Sequence, residues 1–200
     1  MPDSVHTVSN GPDLNPHNLL NVLLHHLEVP AAFVPGSVLF GGVAWWLARR
    51  RGWAPMPAVL AGCGLALALS LTVVRPFGHY PAGGLNPLAT LRLCAVGSLS
   101  LAHLYEQLNV VMLMPFAVCG TLATRRPLPV AASCVLISAF VEFVQGATGG
   151  GECQVRDLVH NTAGGVLGVL VAVVGCWLQA RRHSRKQHGL TPELGAGSGS

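Results

Sequence analysis

Apolar residues fall in five blocks along the chain, 31–48, 57–74, 108–124, 128–146 and 159–180, each ended by polar or basic residues. Four of these blocks approach the roughly 20 residues needed to cross about 30 Å of hydrocarbon as a helix. The third, 108–124, is shorter and contains Pro115, but it lies between a polar loop and the pair Arg125–Arg126. None shows the strict apolar–polar alternation of a barrel strand. In lipid, backbone amides must be satisfied within a helix or a closed barrel, so the pattern predicts an all-α polytopic membrane bundle of about five transmembrane helices.

The ends of the blocks predict orientation. Arg49, Arg50 and Arg51 follow the first block, Arg125 and Arg126 the third, and Arg181, Arg182, Arg185 and Lys186 the fifth. Only Arg75, Arg92 and Arg156 fall on the opposite side. Because Lys and Arg concentrate on the cytoplasmic side, five alternating spans put the N-terminus outside and the C-terminus in the cytoplasm. Residues 1–30 hold no Lys or Arg and lack the basic region of a signal peptide, so the first block is expected to be a retained helix.

Four regions follow from this pattern. Residues 1–30 form an extracytoplasmic segment whose run Leu19 to Leu27 can lie in the headgroup plane. Residues 31–74 form the first two spans, and residues 75–180 the remaining membrane region. Residues 181–200 form a basic, then disordered, cytoplasmic tail ending in Gly-Ala-Gly-Ser-Gly-Ser. Residues 75–107 make a long outer loop with Pro76, Pro81, Gly83, Gly84 and Pro87. Its apolar stretch from Leu91 to Leu104 is interrupted by Arg92, His103 and, just beyond it, Glu106, so it reads as interfacial or re-entrant rather than as a span.

Composition strengthens the membrane reading. The chain has 200 residues, 51% of them hydrophobic and 10% charged, with a mean hydropathy of +0.52. A soluble domain carries about a quarter charged residues. The formal charge of +4 reflects the basic block ends and does not point to nucleic acid. The six cysteines form no Cys-x2-Cys pair, which argues against a structural metal site. Cys94 and Cys153 alone fall in segments assigned outside, where a disulfide is chemically possible.

Polar residues inside the blocks carry the candidate chemistry. Ser138, Glu142 and Gln145 are spaced i, i+4, i+7 and share one helix face. A carboxylate at a helix centre costs about 2.5–3.5 kcal/mol on insertion scales, so this face is expected to meet other helices or water. Asp157 and Asn161 lie one helical turn apart, with Gly164, Gly168 and Ala172 continuing roughly the same face as a groove for close helix packing. Asn109 stands six residues before Pro115, which should kink the third span. The simplest assembly packs the Glu142 face against the Asp157–Asn161 face near the outer leaflet, with Asn109 at the same depth. Polar residues of this kind also serve merely to tie helices together, at about 0.6 kcal/mol per hydrogen bond. His25, His26 and Glu28, or His103 with Glu106, supply no full ligand set; no metal and no cofactor are expected.

These residues resemble the VanZ-like family of bacterial membrane proteins over roughly residues 75–175. The shared pattern is Asn86-Pro87, then Asn109 and Pro115, then Glu142 and Gln145, then Asp157, Asn161, Gly164 and Gly168. The family often has a glycine where Ala117 stands. It also tends to carry an Arg and an Asp near Gly151 and Gln154, a charge pair whose role here is either lost or taken by Glu152 and Arg156. The founding member lies in a glycopeptide-resistance cluster and is associated with lowered susceptibility to teicoplanin. The resemblance thus implies a multi-pass protein of the bacterial cytoplasmic (inner) membrane with a cell-envelope role that includes tolerance to teicoplanin-type antibiotics.

Three functions fit the residues. A non-enzymatic protein would bind a membrane lipid, a lipid-linked envelope precursor or a lipoglycopeptide through Asn109, Glu142, Gln145, Arg156, Asp157 and Asn161, with Pro115, Gly164 and Gly168 shaping the helix packing. Alternatively, an enzyme would use Glu142 and Asp157 as acid and base on a lipid-linked substrate. A transporter ranks third, because five spans without an inverted repeat are few for alternating access. No known nucleophile or metal motif accompanies the carboxylates, which favours binding over catalysis.

Overall fold

The computed structural model describes residues 28–73, 81–97, 99, 101 and 104–188. The Leu19 to Leu27 run, His25, His26, Arg75, His103 and the Gly/Ser-rich end of the tail lie outside them. Within these residues seven helices follow one another: α1 (Glu28–Arg51), α2 (Pro55–Thr72), α3 (Pro87–Leu93), α4 (Leu104–Met112), α5 (Met114–Thr124), α6 (Pro127–Thr148) and α7 (Val155–His188). Among the described residues there is no strand, only an isolated parallel bridge between Ala95 and Gln154.

Among the described residues five spans are long and apolar enough to cross a membrane: Val29–Arg51, Pro55–Thr72, Glu106–Thr124, Pro127–Thr148 and Val155–Arg182. Large apolar side chains such as Val38, Leu136 and Val171 point out of the bundle, as lipid-facing positions must. The third span is α4 and α5 in series, interrupted at Leu113. Pro115 has no amide to bond the preceding turn, and α5 resumes with Ala117 N–H donating to the Leu113 carbonyl at 3.0 Å. The expected kink is therefore a one-residue break. The helix of the fifth span, α7, exceeds its apolar block at both ends, starting at Val155 and running through the basic residues to His188.

The bundle has two chemically different ends. At one, Ala54 N–H bonds the Ala123 carbonyl at 3.2 Å, and Ala48, Ala58 and Ala123 form a small core; Arg49–Arg51 and Arg125–Arg126 sit there. At the other, Gln145 Nε2 donates to the Thr72 carbonyl at 3.1 Å, tying the last turn of α6 to the last turn of α2. The main core lies between, built on Ala68, Leu113, Ala117, Val130, Cys134 and Val169.

Helix α7 is the hub, packed against α4, α5 and α6. Three glycines permit this. A methyl on Gly164 would run into the Val110 carbonyl of α4, one on Gly165 would lie 2.6 Å from Cys134 Cβ on α6, and one on Gly168 would lie 2.9 Å from Ala117 Cβ on α5. The small-residue stripe is thus a packing surface on several sides at once. Ala117 is fully buried against Gly168, so the alanine in place of the family's glycine is accommodated. Pro115 packs against α2, where a methyl on Gly64 would lie 3.2 Å from its Cβ.

The loop before α3 is built onto the end of α6. Gly83 N–H bonds the Gly146 carbonyl at 2.9 Å and Gly84 N–H the Ala147 carbonyl at 3.2 Å; Gly84 has φ +60°, a conformation glycine adopts without strain. Asn86 caps α3, its Oδ1 accepting from Leu88 and Ala89 N–H, and Pro87 occupies the first helical position, where no donor is needed. The Asn-Pro pair is accounted for as a helix start. The stretch after Leu91 is not one element: α3 ends at Leu93, and Cys94 and Ala95 turn to meet residues 153–155.

Candidate functional site

At the end where α2 and α6 finish and α7 begins, the helices leave a cavity of about 400 Å³. Thr72, Glu106, Asn109, Val141, Glu142, Gln145, Glu152, Gln154, Arg156, Asp157 and Asn161 line it. All six ligand-binding candidates read from the sequence (Asn109, Glu142, Gln145, Arg156, Asp157, Asn161) therefore meet in one place. The three helix-packing candidates do not line it; Gly164 and Gly168 hold α7 against the helices that carry it.

Each wall has a local cause. On α6, Ser138, Glu142 and Gln145 are all buried, as their shared face requires. Ser138 Oγ donates to the Leu158 carbonyl of α7 at 3.1 Å, which fixes the packing of α6 on α7. Glu142 Oε2 accepts the backbone N–H of Gln154 at 2.8 Å, so this carboxylate also anchors the segment entering α7. On α7, Asn161 is buried with its Oδ1 lacking a hydrogen-bond partner. On the third span, Glu106 and Asn109 are three residues apart and both face the cavity.

A chain of charged contacts crosses the site. Arg156 Nη1 lies 3.0 Å from Glu106 Oε1, and its Nε lies 3.5 Å from Asp157 Oδ1. Arg156 Nη2 donates to Gln154 Oε1 at 2.6 Å, and Gln154 Nε2 donates to Glu152 Oε2 at 2.7 Å. Glu106 is 1% exposed; its ionised form depends on cations and donors within the protein, and Arg156 supplies one. Four of the chain's eight acidic residues line this cavity, with one arginine among them. Glu152 and Arg156, the residues expected to stand in for the family's missing charges, both take part.

Sequence reasoning missed Glu106, Thr72 and Gln154 as members of the cluster. Glu106 carried a signal, since it precedes Asn109 by one turn. Beside His103, however, it reads as a break in the apolar stretch that precedes it. Thr72 contributes its backbone carbonyl, for which side-chain patterning gives no cue. Gln154 acts through both its amide N–H and its side chain, which depends on where the loop lies.

A disulfide joins Cys94 to Cys153, with Cα atoms 4.5 Å apart and a sequence separation of 59. Flanking it, Ala95 N–H bonds the Cys153 carbonyl at 2.9 Å and Val155 N–H the Ala95 carbonyl at 3.0 Å. The segment after α3 is thereby stapled to the segment bearing Glu152, Gln154 and Arg156. Cys63, Cys119, Cys134 and Cys176 are free thiols. Replacing Cys94 and Cys153 by serine is expected to lower unfolding stability by about 2 kcal/mol, the low end for a disulfide because membrane insertion already restricts the reduced chain. Thermal unfolding in detergent checks this, and reductant should lower the wild-type Tm while leaving the double variant's unchanged.

The arrangement offers buried carboxylates, an arginine and amide groups to a polar ligand, at the end of a bundle whose flanks are apolar. Among the described residues no group of three or more His, Cys, Asp and Glu is placed to hold a metal ion. Residues 76–177 match the model of a family described as VanZ/LLP1. No curated protein and no solved structure matches the chain. The matched segment covers just over half the chain and contains every site residue read from the sequence; together with the five apolar spans it shows that the chain belongs to the VanZ/LLP1 family and is a membrane protein of that family.

Proposed function

We propose that this VanZ-family protein sits in the bacterial inner membrane with its cavity open to the outside. There it binds the polar part of a lipid, lipid-linked envelope precursor or lipoglycopeptide, and so confers tolerance to teicoplanin-type antibiotics. The convergence of Asn109, Glu142, Gln145, Arg156, Asp157 and Asn161 on one cavity carries the binding reading. Helix glue alone would pair its polar groups with one another, whereas Asn161 Oδ1 is buried at the wall without a partner. A buried unsatisfied acceptor costs about 1–3 kcal/mol, a cost that a ligand's donor removes.

Two features support the outward orientation. The Cys94–Cys153 disulfide borders the cavity, and disulfides persist in oxidising compartments. The arginine clusters at 49–51 and 125–126 lie at the opposite end, as the positive-inside rule requires.

The test is expression of wild type, Glu142→Gln and Asp157→Asn in a glycopeptide-sensitive bacterium at matched membrane levels. Wild type should raise the inhibitory concentration of teicoplanin several-fold, with little change for vancomycin, which lacks a lipid chain. Each variant should abolish the protection. Wild type that protects against neither drug would refute the tolerance reading. Protection that survives both substitutions would remove the cavity from it.

A second reading assigns Glu142 and Asp157 as acid and base in a reaction on a lipid-linked substrate, favoured by their presence in the same cavity. It requires turnover of an envelope lipid by purified protein, abolished in Glu142→Gln.

A further inference from the structure

A second cavity, of about 420 Å³, opens at the basic end of the bundle and differs from the first in every chemical respect. It is a groove between α1 and α6, floored by α2 and α5. Phe40 and Leu47 wall one side, Val130 and Pro129 the other, and Phe116 closes the far end. The floor is made of small residues, Ala58, Ala61, Gly62, Gly120 and Ala123, which leave depth for an occupant. Arg51 and Arg126 stand at the mouth, one on each side, with Thr124 beside them.

The dimensions match one leaflet. From Phe40 to Arg51 the helix climbs 11 residues, about 16 Å at 1.5 Å per residue. Half of a hydrocarbon core about 30 Å thick is about 15 Å. The groove therefore runs from the bilayer midplane to the headgroup level, apolar along its length and cationic at the top. No acidic residue occurs between Val29 and Tyr105, nor between Gln107 and Val141, so apart from Glu28 at the opposite end of α1 no carboxylate on α1, α2, α5 or the first half of α6 competes for the two guanidinium groups. Arg51 also lies 5.4 Å from the centre of the Trp53 ring, which places an aromatic body at the interface beside the charge.

We infer that this groove is a binding site for an anionic phospholipid of the leaflet at the basic end: one acyl chain lies along Phe40, Leu47, Phe116 and Val130, and the phosphate is held between Arg51 and Arg126. Charge complementarity selects the headgroup, and the apolar length selects a membrane lipid over a soluble phosphate. The occupant also seals α1, which packs chiefly on α2, against the rest of the bundle.

The experiment is native mass spectrometry of the full chain released from detergent with added phosphatidylglycerol or phosphatidylcholine. Wild type should retain one phosphatidylglycerol in preference to phosphatidylcholine. Arg51→Gln/Arg126→Gln should lower phosphatidylglycerol retention about tenfold or more, as expected for two lost charges near a membrane surface, and leave phosphatidylcholine unchanged. Arg181→Gln/Arg182→Gln removes the same charge at the same end without touching the groove, and it should retain the lipid. Ser133→Trp, which fills the groove without altering charge, should lose it. Equal losses in the two arginine pairs would reduce the effect to general surface charge and overturn the site. Retention in Ser133→Trp would overturn the groove as its location. Deletion of residues 189–200 tests the tail as a rival occupant. Lipid retention that rises on deletion, or a wild-type dimer that dissociates in Ser133→Trp, would assign the groove to the tail or to a second copy and overturn the lipid assignment.

Discussion

Gly164→Ala is expected to cost about 3 kcal/mol of stability, while Gly175→Ala on the same helix stays within about 0.5 kcal/mol of wild type. Both substitutions add one methyl to α7. At Gly164 the methyl meets the backbone carbonyl of Val110, whereas at Gly175 nothing lies within 4 Å. A clash with a side-chain tip relaxes by rotation; a clash with helix backbone moves a helix. That is why the expected cost sits at the upper end of the overpacking range. The displaced element is α4, which carries Glu106 and Asn109 into the cavity, so the same variant should lose the Glu106–Arg156 pair. Thermal unfolding in lipid nanodiscs measures the stability difference. Equal Tm values for the two alanine variants would mean that α4 and α7 are not in backbone contact.

How far the chain's pattern discloses this architecture depends on the range of the interaction. The five spans were legible because lipid imposes a local rule, about 20 apolar residues per crossing. Their ends were less so. The last helix begins at Val155 rather than near residue 159 because Asp157 and the turn around it are helical but polar, and hydropathy does not register polar helix. The first extends through Arg51 because arginines at a membrane interface can snorkel without ending a helix. The shared face of Ser138, Glu142 and Gln145 follows from helical periodicity, and the structure buries all three. The partner of Arg156 did not follow from anything local. Glu106 is 50 residues upstream, on an element that the outer loop's prolines and glycines made hard to place. The disulfide is similar: shared sidedness permits Cys94 and Cys153 to pair, but only the docking of residues 94–95 onto 153–155 brings their Cα atoms to 4.5 Å.

The same long-range dependence makes Arg156 the most sensitive charged position. Arg156→Gln is expected to destabilise the protein by about 3 kcal/mol, because it removes one partner of a buried ion pair. Glu106 bears that cost, being buried and 3.0 Å from the guanidinium. Asp157 contributes less, since its contact is 3.5 Å and its side chain is 26% exposed. Glu106→Gln alone should cost about 1 kcal/mol, for the arginine keeps Asp157 and Gln154 and opens onto the cavity. In the double variant two neutral amides face one another, and the total should fall short of the sum of the single effects by about 2 kcal/mol. The pattern is diagnostic of where the pair sits. If the pair were exposed to bulk water, both single effects would be near zero and the coupling no more than about 1 kcal/mol. A measured coupling near zero with a large Arg156 effect would instead assign the arginine's role to its bond with Gln154, and through it to the loop that Glu142 anchors. Either result places the energetic centre of the site on the segment that enters α7, where the disulfide, the Glu142 carboxylate and the arginine hold the same few residues from three directions.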